Sequence, residues 1–151
     1  MRAVIYDRVS DDRAHGRSVS EQEAENRRVV ERHGWELAGV FTDNSVGASR
    51  YSRGRRDDWQ RLVGALERGE ADVLVTWEAS RSTRDLEAYV DLRDVCRRTG
   101  VQWCYNGRLF DLRRGDDAFQ TGLDILLAEK EVEQTRERVM RAVRANAVAA
   151  A

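Results

Sequence analysis

The chain has 151 residues, of which 41% are hydrophobic and 35% charged, with a formal net charge of −1. That balance suits one globular domain with its own core and excludes a disordered or fibrous chain. No apolar run approaches the length of a membrane span and the chain reads as opening on a strand rather than on a signal peptide, so no membrane partner and a cytoplasmic location are expected.

Residues 3–6 form an apolar, partly β-branched run that reads as a buried strand. The run breaks into Asp7, Arg8, Ser10, Asp11 and Asp12, just past its carboxyl end, the edge of an open α/β sheet where sites are built. A polar loop over 11–17 leads to a helix capped by Ser18 or Ser20, with Glu21 or Glu23 in its first turn, running to about His33 and ending at Gly34. Residues 35–41 read as a second strand and 42–55 as a long loop. A helix over 57–68 sets Trp59, Leu62, Val63 and Leu66 on one face and closes at Gly69. Residues 73–77 form a continuous apolar strand, as in a sheet covered on both faces. A helix over 83–99 stops at Gly100, a strand covers 101–105, and 108–112 makes a short edge strand. The alternation implies an α/β fold, a mostly parallel central sheet with helices on both faces.

From residue 117 to about 147 nothing interrupts a helix. Ile125, Ala128, Val132, Thr135, Val139 and Ala142 follow a three-four spacing, a seam for packing a second helix. Arg136, Arg138, Arg141 and Arg144 crowd the final turns. A helix of this length exceeds what the core can cover. It is expected to project, pair with a second subunit and offer its basic end to an anion. A solvated helix with Glu–Arg pairs four apart is the plainer alternative. The chain thus divides into an α/β core over 1–112 and a long helix over 113–151, and is expected to be a fragment of a longer protein.

Lysine occurs once, at Lys130, so almost all the positive charge is guanidinium, whose planar fork grips phosphate at two points. Codon bias also raises arginine, so the weight falls on where particular arginines sit. Cys96 and Cys104 fall in an expected helix and strand and read as buried, reduced thiols. His15 and His33 join no cysteine or histidine cluster, so no metal site is expected.

Attack by a serine on a phosphodiester needs an in-line hydroxyl, positive charge on the non-bridging oxygens, and a proton or cation for the leaving oxygen. Ser10 reads as that nucleophile and Arg8 as its electrostatic partner. Arg81 and Arg84 follow the third strand and, three apart in an opening helical turn, share a face.

The segment Tyr6-Asp7-Arg8-Val9-Ser10 resembles the Y-x-R-V-S signature of serine site-specific recombinases, the resolvase/invertase family. Ser18 to Gln22 resembles the family's S-x-x-x-Q element, and Phe41 to Gly47 its F-x-D-x-x-x-G loop. Arg56, ahead of Trp59 and Leu62, falls where the family has an arginine, Ser80 to Arg84 is similar to its D-R-x-x-R element, and Glu131 matches a glutamate near the start of its long helix. The likeness spans essentially the whole chain. Trp77 to Arg81 and Gly107 to Leu112 look most like the catalytic domain of large phage-type serine integrases.

The resemblance implies that Ser10 attacks the scissile phosphate to give a 5′-phosphoserine and a free 3′-hydroxyl, with Arg8, Arg81, Arg84 and Arg56 binding the phosphate. Gln22 would position these groups, Glu131 orient an arginine, and Asp43 fix the loop. Ser80 departs from the aspartate of small resolvases and orients an arginine only weakly. No cofactor, metal or ATP is implied. The implied partners are double-stranded DNA at attachment sites and further copies of the chain, a homodimer that becomes a tetramer in the synaptic complex, with the nucleoid of a bacterial host cell as location. The long helix would carry the dimer contact and lay its arginines on the DNA backbone, and a DNA-binding domain absent from this chain would supply specificity.

A receiver-like domain would want an aspartate after the third strand and a lysine further on, and 77–81 holds no aspartate. A serine hydrolase would want G-x-S-x-G and a placed histidine. A non-catalytic, DNA-bound oligomerisation or regulatory α/β domain is the remaining alternative, against which Ser10, Arg8, Arg81 and Arg84 all stand.

Overall fold

The computed structural model describes residues 1–9, 19–44, 57–77 and 86–149. Among them lie β1 (Arg2–Val9), α1 (Val19–Arg32), β2 (Glu36–Asn44), α2 (Asp57–Glu67), β3 (Val73–Val75), α3 (Leu86–Thr99), β4 (Gln102–Tyr105), β5 (Arg108–Phe110) and α4 (Gly115–Ala149). The strands form one sheet in the order β2-β1-β3-β4-β5. β1 runs parallel to β2 and β3, and β3 to β4, while β5 is antiparallel to β4. This is the expected mostly parallel α/β architecture.

The period-2 alternation of β1 explains how both faces are filled. Ala3 and Ile5 point to one face, packing with Val30 of α1, Val73, Val75 and Cys104. Val4 and Tyr6 point to the other, packing with Leu62 and Leu66 of α2, Tyr89 and Leu92 of α3, and Trp103. Ile5, Leu62, Leu66, Leu74 and Leu92 are 0% exposed, and each contributes about 1.5–3 kcal/mol by leaving water. Cys96 and Cys104 are buried free thiols, pushed up to about 12 and about 11 by burial.

The connections follow local rules. α1 and α2 end in paired closing bonds, Gly34 N to Glu31 O with Trp35 N to Val30 O, and Gly69 N to Leu66 O with Glu70 N to Ala65 O. That pairing needs a left-handed residue, and Gly34 and Gly69 supply it at φ +70 and +74. β4 and β5 are joined by Asn106-Gly107, at φ 50 and 72, a two-residue turn of the kind Asn-Gly favours.

Four boundaries differ from expectation. β2 continues to Asn44, pairing with Val9, where the sequence reads as loop from residue 42. Thr42 and Asp43 stay in the ladder because their polar groups meet α2, as described below. β3 stops at Val75, although Thr76 N still donates to the Cys104 carbonyl. Ser20 lies inside α1 rather than capping it, and Ser18 and the start of the helix before Leu86 fall outside the described residues. α4 has 35 residues, beginning at Gly115, and at 1.5 Å per residue is about 50 Å long.

Among the described residues, it is the opening turns of α4 that meet the core. Tyr89 Oη donates to the Ala118 carbonyl at 2.6 Å and lies 2.8 Å from Thr121 Oγ1, and Tyr105 Oη donates to Asp124 Oδ2 at 2.6 Å. Ile125 is 1% exposed in the same core. This corrects its place in the seam: the core takes Ile125, so a partner helix cannot reach it.

Candidate active site

The chain leaves β1 toward β2 on one side and later returns to β3 on the other, so the strand order reverses at the carboxyl end of β1. Such a reversal leaves a crevice where α/β proteins bind ligands. Arg8 stands at this end, 8% exposed, in register with Asp43 of β2. Gln22 is fully buried in α1, and its Nε2 donates to the Arg8 carbonyl at 3.2 Å. The structure thus joins Arg8 and Gln22, which lie in separate sequence motifs, through the backbone that leads directly to Ser10.

Asp43 is a junction. Its Oδ2 accepts the Tyr6 hydroxyl at 2.5 Å and the Trp59 amide at 3.1 Å, and its Oδ1 accepts the Asp58 amide at 3.1 Å. These amides belong to the first turn of α2, whose N–H groups have no partner within the helix. Asp43 therefore caps α2 from another element, with its negative charge at the positive helix end. Asp58 returns the contact, its Oδ2 accepting the Thr42 amide at 3.0 Å. The Tyr6 and Trp59 rings meet edge to face at 5.1 Å, sealing the junction. Asp43 and Asp58 together tie β2 to the start of α2, the two ends of the segment 45–56.

Behind the strand, on the α1 face, Asp7 is 0% exposed and accepts Asn26 Nδ2 at 2.9 Å. Burial, its main influence, raises this carboxyl to about 7, opposed by the Asn26 bond. Sequence reasoning did not reach Asn26, Asp58 or the burial of Asp7. The signals were there: Asp7 shares the strand parity of Ala3 and Ile5, and Asn26 lies four residues after Gln22, on one helix face.

Ser10, Arg56, Ser80, Arg81 and Arg84 lie outside the described residues. On α4, Glu131, Arg136, Arg138, Arg141 and Arg144 are all exposed, and Arg141 pairs with Glu137 at 3.6 Å. Of the seam, Ala128 is half-buried, Thr135 and Val139 are exposed, and the Val132 side chain is outside those described. A second apolar stripe, Phe119, Leu123, Leu126 and Leu127, lies exposed on the helix, with Phe119 72% exposed. Among the described residues no group of three or more His, Cys, Asp or Glu is arranged to hold a metal ion, and no helix is long and apolar enough to cross a membrane.

The sequence model for the resolvase N-terminal domain matches residues 3–150. The chain belongs to the resolvase family. It is accordingly the catalytic domain of a DNA site-specific recombinase, an enzyme that cleaves and rejoins DNA. Solved structures share this resolvase fold. The N-terminal catalytic domain of TP901-1 integrase matches with a TM-score of 0.65 at 21% identity, over 89% of this chain and 98% of that one. A resolvase family site-specific recombinase from Streptococcus pneumoniae matches with a TM-score of 0.63 at 18% identity, over 97% of this chain and 98% of that one. The C-terminal catalytic domain of ISC1926 TnpA, an IS607-like serine recombinase, matches with a TM-score of 0.56 at 22% identity, over 70% of each chain. No curated protein matches this resolvase domain.

Proposed function

We propose that this domain cuts DNA through Ser10. The Ser10 oxygen attacks the scissile phosphorus, the bond from phosphorus to the 3′ oxygen breaks, the serine loses its proton and the leaving 3′-hydroxyl gains one. The 5′-phosphoserine conserves the bond energy, so reversal by a 3′-hydroxyl rejoins the strands without ATP, metal or cofactor. Arg8, Arg81, Arg84 and Arg56 hold the phosphate and offset its developing charge, and several guanidiniums beside one hydroxyl favour the alkoxide. Gln22 sets the strand end, and Asp43, with Tyr6, holds the start of α2 directly after Arg56. Ser80 and Glu131 orient arginines.

The observation that carries this reading is the bond from Gln22 to the Arg8 carbonyl at the carboxyl end of β1, two residues before the serine. It supports the assignment by linking two parts of the family's pattern that lie apart in sequence.

The partner is double-stranded DNA at attachment sites, cut by a tetramer assembled from dimers. Residues 1–112 form the catalytic core and 113–151 the dimer and DNA helix. The exposed stripe of Phe119, Leu123, Leu126 and Leu127 suits a second copy of the chain, and past the core Thr135 and Val139 offer it an exposed seam on the other side of the helix. Arg136, Arg138, Arg141 and Arg144 suit phosphate contacts, which position without reading bases. Each changed to alanine is expected to lower the slope of log affinity against log salt by about one for every phosphate it no longer neutralises, whatever the DNA sequence. Titrations at several salt concentrations measure it.

The deciding experiment is covalent trapping. The chain, fused to a surrogate sequence-specific DNA-binding domain, is given a nicked suicide site in EDTA and run on a denaturing gel beside Ser10→Ala. A protein–DNA adduct that survives denaturation and vanishes with Ser10→Ala is expected. DNA bound and synapsed with no adduct would replace this reading with that of a non-catalytic oligomerisation domain.

A further inference from the structure

One buried polar pair has no part in the chemistry above. Asp7 and Asn26 are 0% and 1% exposed, joined by the 2.9 Å bond from Asn26 Nδ2 to Asp7 Oδ1. One helical turn earlier, Gln22 Nε2 reaches the Arg8 carbonyl at 3.2 Å. Two side chains on one face of α1 thus grip two consecutive residues of β1, immediately ahead of Val9 and Ser10. The other carboxylate oxygen, Asp7 Oδ2, is buried and has no hydrogen-bond partner among the described residues. An unsatisfied buried oxygen is uncommon in folded proteins, because it forfeits the hydration it had in water.

We propose that Asp7 is a positioning residue for DNA cleavage, its carboxyl acting through Asn26 to set how α1 seats against the end of β1 and so where Arg8 and the residues after it stand. The inference rests on the reading of the domain as a DNA-cleaving enzyme.

The surroundings make this seat sensitive to charge. On α1, Glu23 and Arg27 act on Asp7 with opposite signs, Glu23 raising its pKa and Arg27 lowering it. Neighbouring strands bring Leu37 and Val40 of β2 and Val73 and Val75 of β3 to the same face, with Cys104 of β4 beyond them, and the register sets the uncharged Thr42 beside Asp7. The Cys104 thiol is pushed up to about 11 and stays neutral. Burial raises Asp7 to about 7, so a carboxylate forms there only as pH passes that value. Once formed, it draws water into an apolar pocket and loosens α1, and with α1 the Gln22 bond to Arg8.

The test is single-turnover cleavage of the nicked site by the fused protein between about pH 5.5 and 9, for wild type, Asp7→Asn and Asp7→Ala. The wild-type rate is expected to bend over as pH passes about 7. Asp7→Asn keeps an acceptor for Asn26 and cannot ionise, so its rate goes on rising through that range. Asp7→Ala loses about tenfold in rate at pH 7 with DNA affinity unchanged, and Asp7→Asn restores it. A purely structural Asp7 would change thermal stability and leave the shape of the pH profile alone. The same bend in Asp7→Asn, or a wild-type rate in Asp7→Ala, overturns the inference. If Asp7→Ala does not fold, the comparison of wild type with Asp7→Asn decides by itself. A wild type that forms no adduct at any pH overturns the cleavage reading, and this inference with it.

Discussion

Asp43→Ala is expected to destabilise the domain by about 2–4 kcal/mol, measured by urea unfolding at pH 7. The substitution removes the acceptor for two amides of the first turn of α2 and for the Tyr6 hydroxyl. A lost cap alone amounts to about 1 kcal/mol, and hydrogen bonds to a charged group are worth about 1.5–3 kcal/mol. The Tyr6 side chain is 0% exposed, so its hydroxyl would lose the Asp43 acceptor where water has poor access. Asp43→Asn keeps one acceptor oxygen and should recover roughly half of the loss. Tyr6→Phe removes only the hydroxyl and should cost about 1 kcal/mol. A change below about 0.5 kcal/mol in Asp43→Ala would mean that the cap is replaced by water. Domains of this size carry only about 5–15 kcal/mol in total, so the effect is a large share of what holds the fold.

Much of this architecture was legible because the signals were local. The apolar run of β1, the Leu62–Leu66 face of α2 and the closing glycines each follow from short-range spacing. What escaped depended on partners distant in sequence. In the sequence β2 reads as ending at Phe41 because the apolar run stops there and Asp43 and Asn44 are poor strand formers, yet pairing with β1 and bonds to α2 hold the segment extended. Ile125 fits a three-four seam with Val132 and Val139, but the first turns of α4 pack on α3 and β4 and take it inward. The opening turns of α4 carry two apolar faces at once, Ile125 toward the core and Phe119, Leu123, Leu126 and Leu127 away from it. A single three-four seam read through Ile125 sees only the first of them.

The site was legible in part for a different reason. Arg8, Gln22 and Asp43 stand in motifs whose order is readable, and the structure gives the described ones partners: a carbonyl for Gln22, a helix end for Asp43. Asp7 lies inside the first motif at the position the pattern leaves open. The parity of β1 puts it on the face of Ala3 and Ile5, but only the placement of Asn26 on α1 shows that a helix seals that face over the carboxylate.

That burial gives the second large effect. The Asp7 carboxyl is raised from its ordinary 3.8 to about 7 in the folded protein. Above 3.8 the unfolded chain releases its proton while the folded one keeps it, so stability falls as pH rises through this interval and levels off above about 7. Every tenfold difference in proton affinity between the two states corresponds to about 1.4 kcal/mol, which puts the loss at no more than about 4 kcal/mol by neutral pH. Asp7→Asn keeps the Asn26 bond and has nothing to ionise. Its stability should equal or fall slightly below wild type near pH 4, where both side chains are neutral and the new amide lacks a partner for its N–H. It should exceed wild type by about 2–4 kcal/mol at pH 8, a rise of several degrees in melting temperature. Thermal unfolding of both proteins across that range measures the difference, and a gap that does not widen with pH would mean that Asp7 is ionised in the fold. The direction opposes the usual carboxylate, which stabilises a protein by being charged. Here the charge works against the fold at neutral pH, so a carboxyl in this place is better suited to tuning the seat of the site than to holding the domain together.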